Sequence, residues 1–180
     1  MNKRVFITDL AAYNEGLLSG RWVELPMNND ELQETINEVL KKGWEEAQAN
    51  DLCCCGEHEE YFITDYEGFD NLFEYENLIT LNKFLSACED VDEDVLDLLM
   101  SYFRNDRKDV LKVIEHKSYR VYRDVNSKGD IAYCACCDHG YMEIPDHLIT
   151  YIDWAAMGCD MFINGNFICD WNVGIAIELY

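Results

Sequence analysis

The sequence predicts an α+β fold laid out as an elongated chain of three small modules. They are a β-rich α+β module over residues 1–76, a helical module over 77–117 and a second β-rich α+β module over 118–180. Three observations predict it. Short β-branched and aromatic runs, separated by polar turns, occupy both ends of the chain. Apolar residues in the middle recur at helical spacing instead. The chain of 180 residues is 49% apolar, enough for a core, but each module alone is too small to bury a deep one, which favours a serial arrangement.

The elements follow in order. Residues 3–8 (Lys-Arg-Val-Phe-Ile-Thr) form a strand pattern, and a polar turn, Tyr13-Asn14-Glu15-Gly16, follows. Residues 20–25 make a second strand, stopped by Pro26. Asn28 or Asn29 caps a helix whose stripe is Leu32, Ile36, Val39 and Leu40, ending near Lys42. Residues 53–59 form a loop, and 60–67 a third strand. In the middle, Leu78, Leu81, Leu85 and Cys88 define one helical face. Val91, Val95, Leu98, Leu99 and Tyr102 define another, with Asp92, Glu93, Asp94 and Asp97 turned outward. Val110, Leu111 and Ile114 mark a third, short helix. Strands are expected at 119–125 and 131–136, with a turn at 126–130. Pro145-Asp146 opens a helix carrying Leu148, Ile152, Ala155 and Ala156, with Gly158 as its stop. Asn164-Gly165 signals a two-residue hairpin, and 174–179 a last strand.

Charge is distributed unevenly along this framework. Residues 24–97 contain 22 Asp and Glu against three basic residues, Lys41, Lys42 and Lys83, while the whole chain carries −22. Such self-repulsion opposes compaction and exceeds what solubility needs. Most segments this acidic are disordered, but this one is threaded with aromatic and aliphatic residues such as Tyr61-Phe62-Ile63. The acidity excludes direct nucleic-acid binding and binding to anionic membranes, which need Lys/Arg patches, and it implies a basic partner. A folded, densely anionic surface is what a DNA-binding site is built to receive. The carboxylates that flank apolar positions are the candidates for it: Glu57, Glu59, Asp65, Glu67, Asp70, Glu74, Glu76, Glu89, Asp90, Asp92, Glu93, Asp94 and Asp97. The basic residues from Arg104 to Arg123 are intermixed with acids and are expected to pair with them.

The sequence contains nine Cys, and no secretory leader pattern or long apolar span is present, so a cytoplasmic protein with reduced thiols is expected. Two Cys/His groups have ligand chemistry: Cys53, Cys55 and His58, and Cys134, Cys136, Cys137 and His139. Cys134 and Cys137 are spaced C-x2-C, but neither group is followed by the second ligand pair of a zinc motif, which favours plain thiols over a zinc site. The run from Asp90 to Asp94 lacks the turn glycine and distant Glu of a calcium loop, and a capped helix start explains it as well. No nucleophile elbow, phosphate loop or dinucleotide fingerprint occurs, so neither an enzyme nor a cofactor is expected. Two readings of the acidic surface stay open: a DNA-like decoy, or an acidic adaptor or metal-binding module with another basic partner.

The order of motifs resembles the ArdA antirestriction family. Phe6-Ile7-Thr8-Asp9-Leu10-Ala11-Ala12-Tyr13-Asn14-Glu15-Gly16, followed by Gly20-Arg21-Trp22, is similar to that family's opening strand, Y-N-E-G turn and G-x-W strand. Glu60-Tyr61-Phe62-Ile63-Thr64-Asp65-Tyr66-Glu67 resembles its E-Y-x-I-x-D-Y-E strand, and residues 145–160 with Gly165-Asn166-Phe167-Ile168 resemble its Y-I-D-Y/W helix and G-x-F-I hairpin. The resemblance implies an elongated three-module protein whose carboxylates imitate the phosphates of bent B-form DNA. It implies a partner, the methyltransferase core of a type I restriction-modification enzyme, and a homodimer joined through the C-terminal module. The apolar supply of that module puts Trp154, Met157, Phe162 and Phe167 at the dimer interface. Residues 43–58 and 133–139 depart from the family pattern in their length and cysteine content.

Overall fold

A computed structural model describes residues 3–52 and 56–180. The fold is α+β, with small antiparallel sheets and short helices. The backbone divides into two compact units, residues 1–86 and 87–180. The helices expected as a middle module are shared between these units, and the three-module division stays a proposal.

In the first unit β1 (Lys3–Asp9) is the central strand of a sheet ordered β2-β1-β3, with β2 (Gly20–Leu25) and β3 (Tyr61–Glu67) both antiparallel to it. Its inward residues Val5 and Ile7 are fully buried, as a half-covered sheet requires. A short helix, α1 (Leu10–Asn14), fills part of the expected turn, and Asp9 caps it by accepting from the Ala12 N–H at 3.0 Å. Helix α2 (Asn29–Ala49) starts where Asn28 Oδ1 accepts from the N–H groups of Asp30 and Glu31. It runs past Lys42 because Gly43 and Ala47 continue the buried stripe of Leu32, Ile36, Val39 and Leu40. Helix α3 (Leu78–Ala87) closes the core with Leu78 and Leu81. Its Asn82 is 1% exposed and clamps the β2–α2 connection: Oδ1 accepts from Met27 N–H at 2.9 Å, and Nδ2 donates to Met27 O and to Asn29 Oδ1. A buried amide with its donors and acceptor satisfied fixes this corner.

In the second unit α4 (Glu93–Tyr102) and α5 (Arg107–Glu115) precede β4 (Tyr119–Arg123). Helix α6 (Lys128–Cys137), a 3-10 helix (Asp146–Tyr151), α7 (Trp154–Asn164), β5 (Asn166–Asp170) and β6 (Ile175–Leu179) complete it. The sheet is antiparallel, ordered β4-β6-β5, and α4 packs on β5 and β6. Tyr122, Val125, Ile131, Ala135 and Ala176 form the core between sheet and helices.

Three expectations for this unit are corrected. Residues 131–136 are helix, not strand. Ser127 Oγ accepts from the Asp130 N–H, Asp130 Oδ2 accepts from Asn126 N–H, and Ile131, Ala132, Ala135 and Cys136 are buried at helical spacing. Gly158 does not stop a helix. It lies inside α7 where α6 crosses, and a Cβ there would sit 2.2 Å from the Lys128 carbonyl oxygen. Asn164-Gly165 ends α7, with Gly165 N–H donating to Met161 O at 2.7 Å, so Met161 to Ile163 are helical and no hairpin forms there.

Candidate partner-binding surface

The first unit holds 18 acids against six basic residues, and the second 18 against eight. The acidic block of the sequence therefore extends over both units. In the first, Glu57 and Glu59 lie on the segment leading into β3, Asp65 and Glu67 on β3 itself, and Asp70, Glu74 and Glu76 on the connection from β3 to α3. In the second, Glu89 and Asp90 precede α4, Asp92 occupies its N-cap position, and Glu93, Asp94 and Asp97 lie on its first turns. Twelve of these thirteen carboxylates are exposed, and Glu76 is half-buried.

Glu67 and Asp92 each hold a cation of their own chain. Arg4 donates to Glu67 through Nε and Nη2 at 2.7 and 2.8 Å, a bidentate fork. That bond holds the Glu67 carboxyl below the usual carboxylate range and pushes the Arg4 guanidinium up. The same guanidinium lies 4.6 Å over the Trp22 ring. Asp92 accepts from Arg123.

Helix α2 adds carboxylates that the sequence reading left out. Asp30, Glu31, Glu34, Glu38 and Glu45 are exposed along it. The apolar stripe of α2 was legible, and the opposite face could have been read from it. Glu38 accepts from Arg21 at 2.9 Å, and Glu45 lies 3.9 Å from Lys41.

Large aromatics stand among the acids. Phe73 is 72% exposed and Tyr75 70%. Tyr75 stacks on Phe62, whose ring meets Tyr13 edge-on.

The cysteine-rich groups are placed as follows. Cys53 and Cys55 lie outside the described residues. The His58 side chain is 3% exposed and its Nδ1 lies 2.6 Å from Oδ2 of the fully buried Asp9. On α6, Cys134 is half-buried, Cys136 is buried against Met157, and Cys137 is exposed. His139 packs edge-on against Tyr122. Burial pushes the Cys134 and Cys136 thiols up and Cys169 to about 11. Among the described residues no group of three His, Cys, Asp or Glu is placed to hold a metal ion.

The four residues expected at a dimer interface lie at α7 and β5. Trp154 meets Tyr133 edge-on, Met157 lies by Cys136, and Phe162 stacks on Phe167 at 4.6 Å beneath the Lys128 ammonium. Part of each surface is thus used within the unit. Tyr151 at 84% and Ile163 at 78% are more exposed than any of them. Among the described residues no helix is long and apolar enough to cross a membrane.

Residues 5–170 match the family model described as antirestriction protein (ArdA), which leaves out only the two ends of the chain. No curated protein matches the chain. With nearly its whole length matched, the chain belongs to the ArdA family of antirestriction proteins.

Proposed function

We propose that this chain blocks a type I restriction-modification enzyme by presenting the charge pattern of B-form DNA to the groove of its methyltransferase core. The reading includes a homodimer joined through the C-terminal unit, a cytoplasmic site of action, no catalysis and no cofactor. One observation carries it: the exposed carboxylates of α2, β3 and α4 are mounted on regular, packed elements. On α4, with Asp92 held by Arg123, Glu93, Asp94 and Asp97 fall within two turns. At 1.5 Å per residue that is on the order of one charge per 2.5 Å of axis, against about 1.7 Å for duplex DNA. Buried Val95 and Leu99 hold the helix, so the charges keep a fixed register. The helix dipole favours acids in the first turn, which lowers the cost of placing Glu93 and Asp94 side by side. An arginine fork accepts a carboxylate as readily as a phosphate oxygen, and carboxylates carry no base sequence. Such a surface would inhibit enzymes of differing sequence specificity.

Competition with duplex DNA for a purified type I methyltransferase tests the reading. Inhibition is expected to be competitive with DNA and to weaken by at least about tenfold between 50 and 200 mM salt. Inhibition that is non-competitive, or flat with salt, overturns it in favour of another basic partner.

A further inference from the structure

We propose that Phe73 and Tyr75 form an aromatic platform on which arginine side chains of the basic partner stack, adding a salt-resistant contact to the acidic surface. The proposal rests on the same surface as the function proposed above and specifies which cations it selects.

The platform is built and not a loose loop. Leu72, just before it, is 6% exposed and belongs to the core. A turn closes at Phe73–Glu76, where Glu76 N–H donates to Phe73 O at 3.1 Å. Ile63 N–H of β3 donates to Glu74 O at 2.7 Å, and Leu78 N–H donates to the Tyr61 hydroxyl at 3.3 Å. The Tyr75 ring stacks on Phe62, with centroids 6.2 Å apart. The anchors hold both aromatic rings outward, 72% and 70% exposed, although nothing in the unit's core requires their exposure.

Charge selects the occupant. Asp70, Glu74 and Glu76 flank the rings, and the unit carries 18 acids against six basic residues. A second copy of this unit would bring the same charge to the contact and be repelled. A cationic partner is attracted, and among cations arginine alone combines a flat, weakly hydrated face for the ring with a fork for the neighbouring carboxylate. The chain shows this geometry within itself: the Arg4 guanidinium covers Trp22 while its fork holds Glu67. Phe73 and Tyr75 present their rings outward with the exposed Glu74 between them in the chain.

Arginine-rich and lysine-rich peptides of equal length and charge, titrated into the full chain, test this apart from any enzyme. The wild type is expected to bind the arginine peptide about tenfold more tightly. Phe73→Ala/Tyr75→Ala should lose that preference, and Phe73→Leu/Tyr75→Leu should lose it equally, since leucine is apolar without a π face. Against a type I methyltransferase, the Ala pair should weaken inhibition about tenfold or more at every salt concentration while leaving the salt slope unchanged. Asp70→Asn/Glu74→Gln should flatten that slope. Circular dichroism and melting temperature checked on each variant keep a folding defect from imitating the result. Equal binding of the two peptides by the wild type overturns the proposal, as does full retention of the preference by the Leu pair. A drop in wild-type mass on introducing the Ala pair would assign the rings to self-association and overturn it too. A chain that prefers arginine but does not compete with DNA would keep the platform and refute the proposed function.

Discussion

Asp9 shows how closely a single residue can be surrounded in a chain with this much charge. It is fully buried, yet both carboxylate oxygens are used: Oδ1 accepts from Ala12 N–H and Oδ2 lies against His58 Nδ1. A buried carboxylate without such partners would be strongly destabilising. Helix α2 comes close enough that a Cβ on Gly43 would lie 2.0 Å from Asp9 Oδ2. Ala in place of a helical glycine is normally worth about 1 kcal/mol in stability. Here the clash should win: Gly43→Ala is expected to destabilise by about 1–3 kcal/mol, read from chemical denaturation. A variant as stable as wild type would show that α2 does not press on Asp9. The sequence marked Asp9 as part of a motif and His58 as a ligand candidate, but not their pairing. They are 49 residues apart, and nothing local in a sequence signals a contact of that range.

Among the elements, α4 carries three acids and no basic residue in ten residues, and its two faces separate folding from binding. Val95 and Leu99 are buried while Glu93, Asp94 and Asp97 are exposed. Asp92 is set aside because it accepts from Arg123. Glu93→Lys/Asp94→Lys/Asp97→Lys is therefore expected to keep native-like circular dichroism and to lose inhibition by more than about tenfold, since cations would face the partner's own. Lysines at the helix start oppose the dipole at roughly 0.3–1 kcal/mol each, too little to unfold a packed helix. Inhibition at the wild-type level would remove α4 from the binding surface. The helix was legible in the sequence because its stripe and its first-turn acids agree. Strands β1, β2 and β3 were legible from β-branched and aromatic runs. Helix α6 was not, although Ser127 and Asp130 were there to be read as a cap. Its two alanines favour a helix, but Ile131, Tyr133 and the cysteines do not, so the flanking strand pattern carried the reading. At α7 the Asn-Gly pair dominated, but close packing of Gly158 on α6 is a tertiary gain that a local turn signal does not include. Helix α1, five residues long, is too short to show any period.

For the molecule as a whole, the composition foretold an acidic, mixed α+β protein, and the carboxylates it singled out are almost all exposed. The division into units was less legible, because helical spacing says that α3, α4 and α5 are helices but not which sheet each one covers. The proposed dimer draws on exposed apolar residues of the second unit. Sedimentation at micromolar concentration is expected to give twice the chain mass, and Ile163→Asp, at a residue 78% exposed on α7, to give the single mass. A wild-type monomer would refute the dimer, and an intact dimer in the variant would move the interface away from Ile163 toward Phe162 and Phe167.

The sheet order β2-β1-β3 also sets a timetable. Every strand of the first sheet has been made by Glu67, and the helix that closes its core by Ala87. Translation at about 5–20 residues per second leaves roughly 5–19 s before the remaining 94 residues are complete. Formation of β1–β3 pairs waits for a loop of more than fifty residues to close, which is slow for a sheet but fast on that scale. The unit bearing Phe73, Tyr75 and their acids is thus finished while the second unit is still being synthesised. The nascent chain presents the carboxylates of its first unit before α4 and α7 exist.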